Sequence, residues 1–357
     1  MQSRFHPRCG PGMHTSYRFL GFATPVLEEL TQIIVCPTCH GPLELRVFER
    51  SGPRVLEGSS RCPACSLDFP IHHGIGAYFG TVARPEDLWD LSNREISEFL
   101  SSEPDQARRL METPLESLNP TDQFVRSSIH EELGDFKTAK VARDRALEGM
   151  YTSEFYSAWK SQMRFVAQQL RGRPSPVFDL ATGMGSLLEE VLPRSDQQFV
   201  ATDLSPRVLL RDQLFFESLG LDSRLSFLAF DARHPPFMDR SIGTLVTNVG
   251  LANIENPGNI LKELRRVVSG QFFAITLFYP AEPGPNSEMI RELGLEPLMY
   301  RDSALRLFQD VGFHVQVRNS MKAEAQPTPK GVIMSEVQPD RLPVIGCEVE
   351  FCTLVAS

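Results

Sequence analysis

The feature that most constrains the fold is the alternation of apolar runs and amphipathic segments after Pro176. Helices are predicted in "NILKELRRVVSG" and "SALRLFQDVGF", ending at Gly270 and Gly312. Buried strands are predicted in "VFDLA", "QFVATDL", "RLSFLAFDA", "IGTLVTNVG" and "QFFAITLFY", with a closing pair in "HVQVRN" and "EVEFCTLVA". This order predicts an α/β fold with a mostly parallel sheet and helices on both faces. Ligands of such sheets bind at the carboxyl ends of the strands.

A glycine pair, Gly183 and Gly185, follows the first of these strands in "FDLATGMGSLLEE". A phosphate-binding P-loop needs a lysine directly after its last glycine, and Ser186 stands there, which excludes that motif. A dinucleotide site prefers a small residue at the position of Leu188, because a larger side chain crowds the contact between helix and strand. The pattern therefore disfavours a pyrophosphate, although an NAD-dependent dehydrogenase stays open as an alternative.

Three carboxylates follow the first three strands in order: Asp179, Asp203 and Asp231. A carboxylate at the end of the second strand can accept hydrogen bonds from the ribose hydroxyls of a nucleoside. The one in "AFDARHPPF" stands where it can meet an adenine edge. Together with Ala181 and the glycine pair in a D-x-A-x-G-x-G pattern, they predict a nucleoside site that does not need a phosphate.

Two C-x-x-C pairs stand near the start of the chain, Cys36 with Cys39 and Cys62 with Cys65. The stretch between them, "LELRVFERSGPRVLEG", predicts two short strands around a Ser-Gly-Pro turn. Four thiolates on such a hairpin form the tetrahedral set of a structural Zn²⁺, with no open position for chemistry. Iron and a redox dithiol are the alternatives.

Residues 30–80 resemble the zinc-ribbon modules at the start of some methyltransferases, through "VCPTCHGPLEL", "RCPACSLDFPI" and "GIGAYF". They also resemble the small zinc-ribbon activator subunit of tRNA and protein methyltransferases. Ribbons of this kind occur with many substrates, so the resemblance by itself indicates a module and not an acceptor. The arginines of the hairpin would suit RNA phosphates, and a solvated hairpin is the ordinary alternative.

Residues 150–357 resemble the class I S-adenosylmethionine-dependent methyltransferases, especially the group with the ubiquinone and menaquinone C-methyltransferases. The matching motifs are "FDLATGMGSL", "FVATDLSPRVL", "FDARHPPFMDRSIGTLV" and "ELRRVVSGQFFAIT". The resemblance implies a Rossmann-like, seven-stranded sheet with S-adenosyl-L-methionine lying across Gly183, Gly185, Asp203 and Asp231. By the same resemblance, Leu204 flanks the adenine and Asn248 lines the end of the fourth strand near the methyl group.

The predicted organisation has four parts: a flexible tail (1–29), the zinc ribbon (30–80), a helical linker (85–173) and the methyltransferase domain (174–357). The linker carries helical patterns in "PEDLWDLSNREISEFL" and "SEFYSAWKSQMRFVAQQL", the second with Ser153 as the candidate cap. The linker is a candidate wall of the substrate pocket. A long loop at 321–346 is expected to cover the substrate or to be mobile.

The net charge and the apolar runs of the whole chain restrict the classes of function that we expect. The net charge of −9 argues against broad nucleic-acid binding, which needs many basic residues. The absence of a signal sequence and of a run of about 20 apolar residues predicts a cytoplasmic protein with reduced thiols and no membrane partner. We therefore expect a small-molecule methyltransferase. An RNA methyltransferase that docks RNA on the ribbon and a non-catalytic scaffold are the alternatives.

The sequence does not single out a catalytic residue, because methyl transfer from a sulfonium needs alignment more than a general base. Four side chains near the predicted strand ends are weak candidates: Asn248, Asn253, His234 and Tyr279. Each has an ordinary explanation beside the functional one, such as a surface-loop position for His234.

Overall fold

The structure, a computed structural model, describes residues 26–82 and 87–357. The strands in these ranges are β1 (Val26–Leu27), β2 (Glu44–Ser51), β3 (Arg54–Arg61), β4 (Asp68–His72), β5 (Ile75–Tyr78), β6 (Val177–Leu180), β7 (Phe199–Asp203), β8 (Leu225–Phe230), β9 (Ile242–Asn248), β10 (Val268–Phe278), β11 (Val315–Ala325) and β12 (Cys347–Ala356). The α-helices are α1 (Leu88–Ser102), α2 (Pro104–Glu112), α3 (Pro120–Glu132), α4 (Phe136–Met150), α5 (Ser153–Leu170), α6 (Ser186–Val191), α7 (Pro206–Ser218), α8 (Pro257–Val267), α9 (Pro285–Glu292), α10 (Glu296–Met299) and α11 (Arg301–Asp310).

Seven strands form the sheet that the sequence predicts, in the order β8-β7-β6-β9-β10-β12-β11. The first five run parallel, and β12 pairs antiparallel with both β10 and β11. Strand order reverses at β6, which has β7 on one side and β9 on the other. This reversal opens a crevice at the carboxyl ends of the strands, where α/β proteins bind their ligands.

Helices cover both faces of this sheet, as predicted. On one face, α8 and α11 bury apolar side chains such as Leu261 and Phe308. On the other, α5, α6 and α7 bury residues such as Val166, Leu188 and Phe216. Four of the five parallel strands, β6 to β9, are short and bury almost every side chain, which is typical of parallel strands covered on both faces.

The ribbon continues the same sheet. Strand β5 pairs in parallel with β8, and β4, β3 and β1 follow it outward, while β2 forms the predicted hairpin with β3. The guanidinium of Arg54 donates to the carbonyl of Leu225 over 2.7 Å and to that of Ser223. One of the arginines considered for RNA contact therefore holds the ribbon against β8.

Several predicted boundaries differ from the structure. Residues 1–25, most of the predicted tail, lie outside the described residues, but β1 begins at Val26, inside the predicted tail. Strand β11 continues to Ala325, so the predicted loop at 321–346 starts about five residues later than expected, because its first residues pair with β12.

Two helix termini also differ from those predicted from the sequence. Thr152, not Ser153, caps α5, because its hydroxyl accepts a hydrogen bond from the amide of Phe155 at 3.1 Å. Helix α8 ends at Val267 and passes directly into β10, so Gly270 is not its terminator. A Cβ at Gly270 would lie 2.1 Å from the carbonyl oxygen of Gly243, so this glycine permits a close approach between β9 and β10.

Candidate active site

A cavity of about 550 Å³ lies at the carboxyl ends of β6, β7 and β8, within the usual size range of ligand sites. Its walls come from the glycine loop after β6, the ends of β7 and β8, the loop after β9 and the start of α1. The lining residues are Asp87, Trp89, Leu180, Ala181, Gly183, Thr202, Asp203, Leu204, Phe230, Asp231, Ala232, Asn253, Ile254 and Glu255.

The glycine loop is held in a left-handed backbone conformation at three positions. Ala181, Gly183 and Gly185 have φ values of 51°, 54° and 69°. Glycine adopts this region without steric cost, whereas Ala181 is strained by it. At Gly185 a side chain has no room either, because a Cβ would lie 2.9 Å from the buried ring of Phe216. The loop can therefore turn sharply and leave its backbone open to a ligand.

Side chains of helix α7 and of the helical linker hold the glycine loop in place. Arg211 donates from Nη1 to the carbonyl of Met184 over 3.1 Å, and its Nε donates to Glu131 of α3 over 3.0 Å. Arg211 also pairs with its neighbour Asp212, whose side chain is fully buried. The linker thus contacts the glycine loop through an ion pair that is largely removed from solvent.

Asp203 lies at the end of β7 and orders the loop across the crevice. One carboxylate oxygen accepts a hydrogen bond from the amide of Gly183 at 3.0 Å, and the other accepts one from the amide of Ser205 at 3.1 Å. Burial raises the pKa of Asp203, these amides oppose the rise, and the nearby carboxylate of Asp87 adds to it. A cationic ligand in the cavity would relieve this unfavourable charge environment.

Asp179 lies beneath the same loop and does not line the cavity. It is buried, one oxygen accepts a hydrogen bond from the hydroxyl of Thr182 at 2.8 Å, and the other has no hydrogen-bond partner among the described residues. Burial raises the pKa of Asp179 to about 7; the Thr182 hydrogen bond opposes this, and the charge of Asp203 adds to it. Near neutral pH this carboxyl is therefore sensitive to any charge placed in the cavity.

Asp231, at the end of β8, is paired with Arg233 two residues later. Arg233 donates from Nε to both carboxylate oxygens at 3.0 Å and from Nη2 to one of them at 2.7 Å. This pairing fixes the orientation of the carboxylate at the cavity wall. A ligand amino group would share the carboxylate with this guanidinium.

The structure brings together most of the predicted cofactor residues. Ala181, Gly183, Asp203, Leu204 and Asp231 line the cavity. Three others do not line it: Asp179, Gly185 and Asn248. The sequence made the linker a candidate pocket wall but did not single out Asp87 and Trp89, because no pattern within the linker shows which of its residues reach the glycine loop. It also missed Glu255, although this residue stands close to the candidate Asn253.

The four weak catalytic candidates are separated. Asn253 lines the cavity, whereas the side-chain oxygen of Asn248 accepts a hydrogen bond from the indole nitrogen of Trp159 at 2.9 Å. His234 lines a second cavity of about 140 Å³, which lies between the ribbon and the loop after β8. Tyr279 is buried, and burial raises its pKa.

The four ribbon cysteines form one cluster. Their sulfur atoms lie within 4.8 Å of one another, and Cys65 donates its amide hydrogen to the sulfur of Cys62 over 3.3 Å. A further backbone hydrogen bond, from the amide of His40 to the carbonyl of Cys36 at 2.8 Å, closes the first knuckle. A closed set of four thiols fits a tetrahedral ion of the zinc type and offers no position to a substrate.

Two family models match separate parts of the chain. Residues 177–270 match a model described as a methyltransferase domain, and residues 28–74 match one described as a Trm112p-like protein. The first range covers the cofactor motifs as far as Gly270, the second covers both cysteine pairs, and together they confirm both resemblances predicted from the sequence.

Known relatives match over part of their length. The chain is 33% identical over 98 residues to a demethylmenaquinone methyltransferase from Porphyromonas gingivalis, covering 27% of this chain and 40% of that protein. It is 25% identical over 149 residues to the ubiquinone/menaquinone biosynthesis C-methyltransferase UbiE of Dinoroseobacter shibae, covering 41% of this chain and 58% of that protein. The matched part thus spans less than two thirds of either relative. Among solved structures, the YcgJ protein of Bacillus subtilis aligns with a TM-score of 0.43 and 13% identity, over 55% of this chain and 97% of that one.

Proposed function

We propose that this chain, which carries a class I methyltransferase domain behind an N-terminal zinc-ribbon module, transfers a methyl group from S-adenosyl-L-methionine to a small molecule. The same proposal assigns a structural Zn²⁺ to Cys36, Cys39, Cys62 and Cys65. Neither ion nor ribbon takes part in the chemistry under this assignment.

The charge of the cavity is the observation that carries the proposal. Asp87, Asp203, Asp231 and Glu255 line it, and none of the described lining residues is lysine, arginine or histidine. Arg233 stands behind this lining, where it pairs with Asp231 and lies 3.8 Å from Glu255, so the four carboxylates outnumber this cation. A dinucleotide would bring an anionic pyrophosphate against these carboxylates, which is unfavourable. S-adenosylmethionine has a cationic sulfonium and an ammonium group, and it has no phosphate. The site therefore favours this cofactor over NAD.

The cofactor supplies an electrophilic methyl group, which passes to the acceptor nucleophile while the sulfonium becomes a neutral thioether. The protein's part is to hold the nucleoside and to exclude water. Asp203 presents its carboxylate at the end of β7, and Leu204 and Phe230 supply apolar walls beside Asp231. Under this proposal alignment and desolvation carry the rate, because displacement at a sulfonium methyl group needs no general base when the acceptor is already nucleophilic.

The charge of the whole chain favours a small acceptor over a nucleic acid. The net charge is −9, which is unfavourable for the many phosphate contacts that a nucleic acid requires. The names of both curated relatives refer to quinone substrates, which supports a small, largely apolar acceptor. RNA remains the second candidate because residues 28–74 match the Trm112p-like family.

Transfer of a labelled methyl group separates these candidates. The zinc-loaded protein is incubated with S-adenosylmethionine that carries a labelled methyl group. One sample contains an organic-solvent extract with demethylated quinones, and the other contains total RNA. We expect label in the organic phase, and none with an Asp203→Asn variant. Label in the RNA would establish the second candidate. No label in either sample, with cofactor still bound, would contradict both a quinone and an RNA acceptor and would favour the non-catalytic scaffold.

A further inference from the structure

One wall of the cofactor cavity comes from outside the methyltransferase sheet. Asp87 and Trp89 belong to the start of α1, in the helical linker, and both line the cavity beside Gly183 and Asp203. We propose that Trp89 is a cofactor-binding residue whose indole selects the positively charged cofactor over its neutral thioether product. This inference rests on the proposed function and extends it to the linker.

The indole lies next to the glycine loop. A Cβ placed on Gly183 would be 3.6 Å from Cζ2 of Trp89, so a side chain of one carbon would bridge the space between this backbone and the ring. The amide of Gly183 in turn donates to Asp203. Indole, glycine backbone and carboxylate therefore form one continuous surface. A ligand that lies across Gly183 and Asp203 has Trp89 as its neighbour.

Asp87 fixes the place of this tryptophan. Its carboxylate oxygen caps α1 by accepting hydrogen bonds from the amide of Trp89 at 3.0 Å and from the amide of Asp90 at 3.2 Å. The side chain of Trp89 is half-buried and packs at the edge of the core cluster that contains α5, α6 and α7. The start of α1 is therefore held at both the backbone and the ring.

The chemistry of an indole explains the proposed selectivity. Tryptophan is the aromatic side chain that attracts cations most strongly, through the electron density of its ring face. Before transfer the cofactor carries a sulfonium, and afterwards it is a neutral thioether. An indole at this wall therefore favours S-adenosylmethionine over S-adenosylhomocysteine and assists product release.

Paired affinities test this inference. Dissociation constants for S-adenosylmethionine and S-adenosylhomocysteine are measured by calorimetry for the wild type, Trp89→Leu and Trp89→Phe. We expect the leucine variant to bind S-adenosylmethionine about ten-fold more weakly, with a clearly smaller loss for S-adenosylhomocysteine. The phenylalanine variant retains an aromatic face and should restore most of the preference. Circular dichroism and zinc content show whether each variant is folded.

Fluorescence provides a second readout, because the chain has two tryptophans, Trp89 and Trp159. In a Trp159→Phe variant, excited at wavelengths that tyrosine does not absorb, the emission comes from Trp89, and it should change saturably with S-adenosylmethionine. Unchanged affinities in Trp89→Leu, or equal losses for both ligands, would overturn the inference while the proposed function stands. Failure of the wild type to bind S-adenosylmethionine would overturn both.

Discussion

At the scale of single residues, Gly185 is a position of the glycine loop where a side chain has no room. Its φ is 69°, and a Cβ would lie 2.9 Å from two ring atoms of Phe216. We expect Gly185→Ala to lower the free energy of unfolding by roughly 2–4 kcal/mol, from backbone strain plus overpacking. Chemical denaturation measures this loss, and calorimetry should show weakened cofactor binding.

Gly294 supplies the matched control. Its φ is 68°, but no atom lies within 4 Å of a Cβ built there. Gly294→Ala should therefore lower the free energy of unfolding only through backbone strain, by about 1 kcal/mol, and leave cofactor binding unchanged. Equal losses in the free energy of unfolding for Gly185→Ala and Gly294→Ala would contradict the assigned clash with Phe216.

The buried carboxyl of Asp179 predicts a pH dependence. Burial raises its pKa to about 7, so it is largely protonated below pH 7 and ionised above it. A cation bound nearby favours the ionised form and lowers this pKa, so binding should release protons near neutral pH. The affinity for S-adenosylmethionine should rise as the pH increases from 5.5 to 8. Calorimetry in buffers of different ionisation enthalpy counts the released protons.

The same shift predicts the stability of the ligand-free protein. The unfolded chain releases the Asp179 proton near the ordinary aspartate pKa, whereas the folded chain keeps it until about pH 7. The contribution of Asp179 to stability is therefore greatest below pH 4 and declines between about pH 4 and 7. Asp179→Asn should reduce the decline of the free energy of unfolding between about pH 4 and 7, and it should also reduce the number of protons released on binding. A wild type that releases no protons on binding would contradict the assignment.

At the scale of elements, the segment between β11 and β12 is hydrogen-bonded to the helical linker at several points, and one carboxylate holds residues 332–334. Asp122, buried in the first turn of α3, accepts hydrogen bonds from the amides of Val332, Ile333 and Met334 at 2.9–3.0 Å. Thus this segment, which the sequence predicted as covering or mobile, is bonded to the linker at these residues.

Asp122→Ala should release this attachment. Three amides then lose their acceptor, and we expect a loss of roughly 2–4 kcal/mol in the free energy of unfolding, with faster hydrogen exchange at residues 332–334. Asp105→Ala is the matched control, because Asp105 stands in the first turn of α2 and its side chain is 90% exposed. Unchanged exchange at residues 332–334 in Asp122→Ala would contradict the account.

The ribbon is also joined by backbone hydrogen bonds to the loop after β8, which forms one wall of the cavity. The amide of Val35 donates to the carbonyl of Pro236, and that of Met238 donates to the carbonyl of Ile33, both at 2.9 Å. Cys36 directly follows Val35, and the loop paired with this segment also carries Asp231. We therefore expect loss of order in the knuckle to affect one wall of the cavity.

Removal of the metal should accordingly weaken cofactor binding. A chelator, or Cys39→Ser, is expected to raise the dissociation constant for S-adenosylmethionine several-fold, because the knuckle that holds residues 33–35 loses its order. Cys347→Ser, outside the cluster, serves as the control. Zinc content and calorimetry are measured on the same samples. Undiminished affinity in metal-free, folded protein would contradict the coupling.

At the scale of the whole molecule, the alternating pattern was sufficient to predict a mostly parallel sheet with helices on both faces, because buried parallel strands leave a clear apolar signal. The number of seven strands was implied by the resemblance to the class I methyltransferases. The ribbon was also predictable from its cysteine spacing. Its continuation of the sheet through β5 and β8 was not, because backbone pairing between distant strands leaves no local mark. For the same reason the sequence located Asp203 and Asp231 but not Trp89, whose part in the cavity depends on how the linker packs.

The central claim is that the acidic cavity binds S-adenosylmethionine, and calorimetric titration of the zinc-loaded protein tests it most directly. S-adenosylmethionine and NAD are titrated separately into the wild type and into Asp203→Ala. The account predicts micromolar binding of S-adenosylmethionine, its loss in the variant, and no binding of NAD. Binding of NAD without binding of S-adenosylmethionine would contradict the account and restore the dehydrogenase alternative.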